Sequence, residues 1–311
     1  MTFALVFPGQ GSQSVGMMSG FADNAAVRAT FDEASEVLGR DMWLLAQEGP
    51  EQEQSLTLNT QPLMLAAGVA VYRAWIQSGA RTPSLLAGHS LGEYSAWVAS
   101  GALEFRAALP LVQLRAQAMQ EAVPVGTGAM AAVLGLADDA VRAACAEAAQ
   151  GEVVEAVNFN APQQVVIAGH RTAVERAASL VKARGARRAL LLPVSAPFHS
   201  SLLAPAADRL AQELARIELK SPAIAVVNNV DAARVSAPDD IRSALARQAC
   251  NPVLWVESVR RMVAADVKHV IECGPGRVLS GLTRRIAPHV ESLALTDAHA
   301  LTKAREAVAH E

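Results

Sequence analysis

Gly88-His89-Ser90-Leu91-Gly92 stands between the apolar Leu85-Leu86-Ala87 and the run Glu93-Tyr94-Ser95-Ala96-Trp97-Val98-Ala99. The first flank predicts a short buried strand and the second a helix, so the five residues between them read as a sharp turn. A G-x-S-x-G pattern alone is weak evidence. Between a strand and a helix it acquires a mechanism: glycines let the backbone double back, Ser90 is held up at the sheet edge, and the first amides of the helix face whatever Ser90 attacks. The plain rival is a Gly/Ser turn that only joins the two elements.

The chain before the elbow carries a second strand end. Phe3-Ala4-Leu5-Val6-Phe7 is a continuous apolar run stopped by Pro8-Gly9-Gln10-Gly11-Ser12-Gln13, the pattern of a buried strand delivering a glycine-rich loop. A nucleotide-binding loop fails on detail. No Lys-Ser or Lys-Thr follows a glycine at Walker spacing, and Ser14 stands where a dinucleotide fingerprint needs its third glycine. What remains is a close-approach loop with an amide donor, Gln10. Helix-like segments fill residues 20–80 and end in 61–72, apolar almost all round and therefore a buried helix. Strands separated by helices in this order predict a mostly parallel sheet, in which ligands sit at the carboxyl ends of the strands, where Gln10 and Ser90 both lie.

From Gly126 the pattern changes. A strand at 130–134, a helix at 138–149 capped by Asp138, strands at 153–157 and 164–168, a helix at 172–184 and a strand at 189–192 give the order βαββαβ. The predicted fold class is therefore α/β: a hydrolase-like large domain with a mostly parallel sheet, residues 1–125 and 196–311, carrying an inserted ferredoxin-like subdomain over 126–195. The last inserted strand runs into Pro193-Val194-Ser195-Ala196-Pro197-Phe198-His199-Ser200 at the junction, where clefts favour forming. Helices at 201–216, 238–249 and 252–264, strands at 223–227 and 267–271, the turn Gly274-Pro275-Gly276 and a further helix resume the large domain.

Composition narrows the class. At 311 residues, 51% hydrophobic and 18% charged, the chain can bury a sizeable core. No apolar run reaches the ~18 residues of a membrane span, and no basic segment opens a secretory signal, so a cytoplasmic protein without a membrane partner is expected. A net charge of -3 and a pI near 6.2 argue against nucleic acid as a main partner. Cys145, Cys250 and Cys273 are too scattered for a disulfide framework or a zinc site, so reduced thiols and no metal are expected. Short basic clusters, among them Arg187-Arg188, are either solvated surface or a docking face for an acidic protein.

Two further residues invite chemistry. Leu111, Arg115 and Met119 share one face of the helix predicted over 105–122, which places an arginine on an apolar stripe. Buried, it needs an anionic partner and its planar fork suits a carboxylate; otherwise it snorkels to solvent or pairs with an internal acid. A serine nucleophile also needs a base, and the chain offers His89, His170, His199, His269, His289, His299 and His310. His89 should point away from Ser90. His170 and His199 both end strands; the return from the insert favours His199, and His170 stays open.

The motifs Phe7-Pro8-Gly9-Gln10-Gly11-Ser12-Gln13, Gly88-His89-Ser90-Leu91-Gly92-Glu93-Tyr94, Asn158-Phe159-Asn160, His199, residues 248–252 and Gly274-Pro275-Gly276 occur in the order found in the malonyl-CoA:acyl carrier protein transacylases of fatty-acid synthesis, and the resemblance covers essentially the whole chain. It implies Ser90 as nucleophile, His199 as base, Arg115 as clamp on the malonyl carboxylate, and Gln10 with the Leu91 backbone N–H as oxyanion hole. It further implies that the backbone carbonyl of Gln248 orients His199, that Gln61 and Asn160 line the cleft, and that the partners are malonyl-CoA as substrate and acyl carrier protein, with no bound cofactor. A monomer is expected. Phe198 before His199 departs from the commonest bacterial form and, with Leu91, resembles the malonyl-selective signature of polyketide acyltransferases. Three alternatives follow the same residues: a stand-alone polyketide acyltransferase, a serine hydrolase or thioesterase, and an inert carrier-binding module.

Overall fold

A computed structural model describes residues 2–194 and 196–309; Ser195, inside the 193–200 stretch, and His310, among the candidate bases, lie outside the described residues. Strand β1 (Thr2–Phe7) is buried from Phe3 onward, as a central strand of a sheet covered on both faces must be. Four helices follow, α1 (Ala25–Leu38), α2 (Met42–Glu48), α3 (Glu51–Ser55) and α4 (Thr57–Gln77), then β2 (Leu85–Gly88), α5 (Gly92–Ala99) and α6 (Phe105–Glu121). Helix α4 is buried without interruption from Thr60 to Val71, in agreement with its apolar sequence.

The next six elements are β3 (Gly128–Leu134), α7 (Asp138–Ala149), β4 (Val154–Ala161), β5 (Gln164–His170), α8 (Arg171–Ala183) and β6 (Arg188–Leu191). Their strands form a separate antiparallel sheet in the order β4-β5-β3-β6, the ferredoxin-like arrangement predicted from βαββαβ. Its own core, with Val133, Val141, Val165, Ile167 and Val174 fully buried, lies between this sheet and its two helices. Two local expectations shift. Ala137, not Asp138, occupies the cap of α7, so Asp138 and Asp139 face the helix dipole from the first turn instead of bonding its amides. Strand β4 runs on to Ala161 across two register shifts and so takes in Asn158, Phe159 and Asn160.

The chain then adds α9 (Ala204–Leu214), β7 (Ala225–Val227), α10 (Pro238–Gln248), α11 (Trp255–Ala264), β8 (Val267–Cys273), α12 (Val278–Ile286), β9 (Glu291–Leu295) and α13 (Ala298–Ala309). The large sheet has the order β7-β2-β1-β8-β9, with every pairing parallel. Strands are laid down from β1 outward through β2 to β7, and then on the opposite side of β1 through β8 to β9. That reversal opens a crevice at the carboxyl end of β1, beside the Ser90 elbow at the end of β2. The small sheet is tied to this edge: Val253 N–H donates to Val157 O at 2.8 Å and Phe159 N–H donates to Val253 O at 3.0 Å, which fixes the segment after Gln248 against β4. Strand β9 and helix α13 were not anticipated, because Glu291-Ser292-Leu293-Ala294-Leu295 is a half-buried edge with weak alternation. No helix among the described residues is long and apolar enough to cross a membrane.

Candidate active site

The elbow is built by contacts that only glycine permits. A Cβ on Gly88 would lie 2.0 Å from the Gly92 carbonyl carbon, one on Gly92 2.0 Å from Phe7 O, and one on Gly9 2.4 Å from His89 O. The loop leaving β1 is therefore pressed against the elbow leaving β2, and both strand ends share one site. Ser90 itself sits at φ 52, in the left-handed region, at a cost of about 1–2 kcal/mol for a side chain with a Cβ. Three hydrogen bonds offset it. Ser90 N–H donates to Asn229 Oδ1 at 2.7 Å, Asn229 Nδ2 donates to Gly88 O at 2.6 Å, and Gln248 Nε2 donates to Ser90 O at 2.9 Å.

His199 meets this serine from the other side of the cleft. It too has a left-handed backbone, φ 65, and only 4% of it is exposed. Its Nε2 lies 2.7 Å from Ser90 Oγ and its Nδ1 lies 2.8 Å from Gln248 O. A carbonyl oxygen only accepts, so Nδ1 carries the proton and Nε2 keeps its lone pair for the serine O–H. Burial, and then the positive charge of Arg115, push the imidazole pKa down to about 3, against the pull of the Gln248 carbonyl. The ring is neutral across the physiological range.

Arg115, from α6, is 1% exposed and so is drawn inside, not snorkelled. Nη1 donates to Gln61 Oε1 at 2.7 Å; Nη2 donates to Gln248 Oε1 at 2.8 Å and to Ser90 Oγ at 3.2 Å. Every one of these acceptors is uncharged, so the guanidinium reaches Ser90 Oγ without a carboxylate in direct contact. Burial of a cation without a contacting carboxylate is costly, which makes Arg115 the electrostatic anomaly of this site.

The model of a family described as "acyl transferase domain" matches residues 4–293. The chain belongs to the acyl transferase family. Malonyl CoA-acyl carrier protein transacylases are similar to it along its length: that of Escherichia coli strain K12 is 54% identical over 98% of this chain and 99% of the relative, and that of Bacillus subtilis strain 168 is 41% identical over 94% and 93%. Among solved structures, the acyl-carrier-protein S-malonyltransferase of Burkholderia pseudomallei is 60% identical, with a TM-score of 0.97 and coverage of 98% of this chain and 100% of that one. A malonyl-transacylase in complex with a type II PKS acyl-carrier protein is 51% identical, with a TM-score of 0.97 and coverage of 99% and 100%.

The remaining candidates of the acyl transferase lie as follows. Leu91 is buried at the cap of α5, and its N–H donates to nothing among the described residues. Gln10 is exposed and its side-chain Nε2 donates to Thr57 Oγ1 at 3.4 Å. Phe198 is buried against the large core beside His199. Asn160 Oδ1 lies 2.8 Å from His89 Nε2, and the His89 ring also packs edge-on against Trp255. His170 is occupied elsewhere, its Nδ1 accepting the Val153 N–H at 2.9 Å, and the histidine in contact with Ser90 Oγ is His199. Arg187 and Arg188 are exposed at the start of β6, the edge strand of the small sheet.

Two site residues escaped the sequence reading. Asn229 follows β7, so the rule that selected Gln10 and Ser90 at strand ends applied equally to it. Glu93 is buried on the first turn of α5, three residues beyond the nucleophile. It is the only charged residue in Gly92–Ala99, and that was the available signal.

Proposed function

We propose that this acyl transferase moves a malonyl group from malonyl-CoA to the phosphopantetheine thiol of acyl carrier protein, through a malonyl ester of Ser90 and with ping-pong kinetics, supplying fatty-acid elongation. One observation carries the reading: His199 Nε2 at 2.7 Å and Arg115 Nη2 at 3.2 Å converge on the same atom, Ser90 Oγ. A base and a carboxylate clamp meeting at one nucleophile suit an acyl group that ends in a carboxylate.

His199 takes the Ser90 proton as Oγ attacks the thioester carbon. The oxyanion is received by Gln10 and the Leu91 N–H, one such donor being worth about 3 kcal/mol. The tetrahedral intermediate collapses, the C–S bond breaks and coenzyme A leaves with the proton from His199. A thiol of pKa about 8.5 departs far more easily than an amine, so a neutral carbonyl, Gln248 O, suffices to orient the imidazole. The carrier thiol then attacks the ester by the reverse sequence. Arg115 holds the malonyl carboxylate throughout, Gln61 and Asn160 support the cleft, and the Phe198 ring limits room for a 2-methyl branch. The chemistry needs no metal or bound cofactor. The large domain comprises 1–125 and 196–311 and the small one 126–195, acting as a cytoplasmic monomer without nucleic-acid or membrane partners. Arg187 and Arg188 meet the acidic carrier.

Intact-mass measurement after incubation with malonyl-CoA tests the assignment. The wild type should gain one malonyl group and Ser90→Ala none; absence of the first, or survival of the adduct in the variant, refutes it. The relative seen with a type II PKS acyl-carrier protein favours a second reading, in which the acceptor is a polyketide carrier; comparison of transfer rates to the two carrier classes separates them.

A further inference from the structure

Ser90, His199 and Arg115 are each tied to Gln248, and Gln248 does three different things. Its backbone carbonyl accepts from His199 Nδ1, its side-chain Oε1 accepts from Arg115 Nη2, and its Nε2 donates to Ser90 O. The first task belongs to the main chain at the end of α10. The other two depend on which way round the side-chain amide stands. Reversed, it would aim its two N–H donors at the guanidinium, which has only donors of its own, and push Arg115 away.

Glu93 decides that orientation. Its Oε2 accepts from Gln248 Nε2 at 2.8 Å and from the Asn229 N–H at 3.0 Å, and its Oε1 accepts from Trp97 Nε1 at 3.2 Å. The Asn229 N–H and Trp97 Nε1 can only donate, so both Glu93 oxygens serve this network as acceptors, and the Gln248 amide turns its nitrogen toward Glu93 and its oxygen toward Arg115. Through Asn229, whose side chain holds Ser90 N–H and Gly88 O, the same carboxylate also secures the backbone of the nucleophile. Glu93 is the buried carboxyl group of this network, separated from the Arg115 cation by the width of one amide.

We infer that Glu93 is a positioning residue: by fixing the amide of Gln248 it sets the pose in which Arg115 receives a substrate carboxylate, and so contributes to selection of a carboxylated over an uncharged acyl group. The inference rests on the proposed malonyl transfer. Nothing in Glu93 touches the reacting atoms, since Gln248 and Asn229 stand between it and Ser90.

The test compares single-turnover acylation of Ser90 by malonyl-CoA and by acetyl-CoA in the full-length protein. Glu93→Met fills the volume but accepts no hydrogen bond. It should lower the malonyl-to-acetyl ratio about tenfold or more, the scale of a lost hydrogen bond to a charged group, chiefly by raising the malonyl-CoA concentration at half-maximal rate. Glu93→Gln should restore part of the ratio, because its one amide oxygen can still accept from Gln248 while its NH2 faces Trp97. In the Gln248→Met background, Glu93→Met should change the ratio no further. An unchanged ratio in Glu93→Met, no recovery in Glu93→Gln, or effects that multiply in the double variant would each overturn the inference. Failure of both Glu93 variants to fold would do so as well, by making the residue structural. Malonylation of the wild type is read separately in the same assay, so loss of the parent reading is told apart from loss of this one.

Discussion

Replacing Arg115 by methionine should raise the proton affinity of His199 about a hundredfold, and the structure sets the magnitude. Arg115 Nη2 and His199 Nε2 both contact Ser90 Oγ, at 3.2 and 2.7 Å. The two nitrogens are therefore at most ~6 Å apart, and at an effective dielectric of about 20 a unit charge there disfavours a second by roughly 3 kcal/mol. That repulsion corresponds to about two powers of ten in proton binding. Burial comes first among the causes that bring the imidazole to about 3, and the substitution leaves it in place, so the histidine of Arg115→Met should still be more acidic than a free one.

Nuclear magnetic resonance of imidazole-labelled protein measures this directly, with the His199 signals assigned by their loss in His199→Gln. Between pH 4.5 and pH 8 the wild-type ring should stay neutral, with its proton on Nδ1, and the Arg115→Met ring should begin to titrate at the acidic end, in line with an affinity about a hundredfold higher. A wild-type ring that titrates near the ordinary histidine value would refute the burial argument. An Arg115→Met ring no easier to protonate than the wild type would refute the field argument. The same reasoning has a catalytic consequence: a malonyl carboxylate on Arg115 neutralises the charge that weakens the base, and an acetyl group does not. His199 should be the stronger base in the malonyl-enzyme.

Two further outcomes follow from particular groups. His199 has a folded pKa of about 3, below its unfolded value of about 6.5, so the unfolded chain binds the extra proton between those limits and the stability it contributes is complete above about 6.5 and lost as pH falls toward 3. The stability gap between wild type and His199→Gln in urea unfolding should accordingly shrink by about 2–3 kcal/mol from pH 7.5 to pH 4.5, and a gap independent of pH would contradict it. Reversing the charge of exposed Arg187 and Arg188 to glutamate should raise KM for the carrier protein about tenfold while leaving malonylation of Ser90 by malonyl-CoA unchanged. Unaltered carrier kinetics would place the docking face elsewhere.

Local pattern and elbow chemistry made much of this molecule legible. Strands β1 and β2 were visible because buried parallel strands are apolar on both faces, and the glycines at 9, 88 and 92 because close backbone approach forbids any other residue. The order βαββαβ was readable because each element is amphipathic against its own small core. What sequence could not supply was the partnership of distant polar groups. Nothing in the spacing of Glu93, Asn229 and Gln248 shows that Glu93 converges on one hydrogen-bond network with two residues more than a hundred positions further along the chain, because satisfaction of buried polar atoms is settled only by tertiary packing. Arg115 illustrates the same limit. Its place on an apolar stripe announced an anomaly, and only the acceptors around it, Gln61 and Gln248, show that its charge is left without a carboxylate in contact.

That choice of acceptors bears on why His199 is oriented by a carbonyl and not by an aspartate. An acidic side chain hydrogen-bonded to His199 Nδ1 would strengthen the base, but it would stand close to Arg115, since Gln248 supplies the acceptor for Nδ1 with its backbone and the acceptor for Nη2 with its side chain. The guanidinium would then have an internal anion to pair with, and a substrate carboxylate would have to compete for it. Neutral oxygens hold both the imidazole and the guanidinium in place while leaving the arginine charge without a contacting carboxylate. The internal carboxyl group that does exist, Glu93, is kept one amide away, and burial raises its own pKa to about 7 despite the hydrogen bonds from Gln248, Asn229 and Trp97, which weakens its hold on the arginine charge further. With a thiol as leaving group the weaker base is sufficient, so an arginine free to take the malonyl carboxylate and a histidine without an aspartate are two consequences of a single arrangement around Gln248.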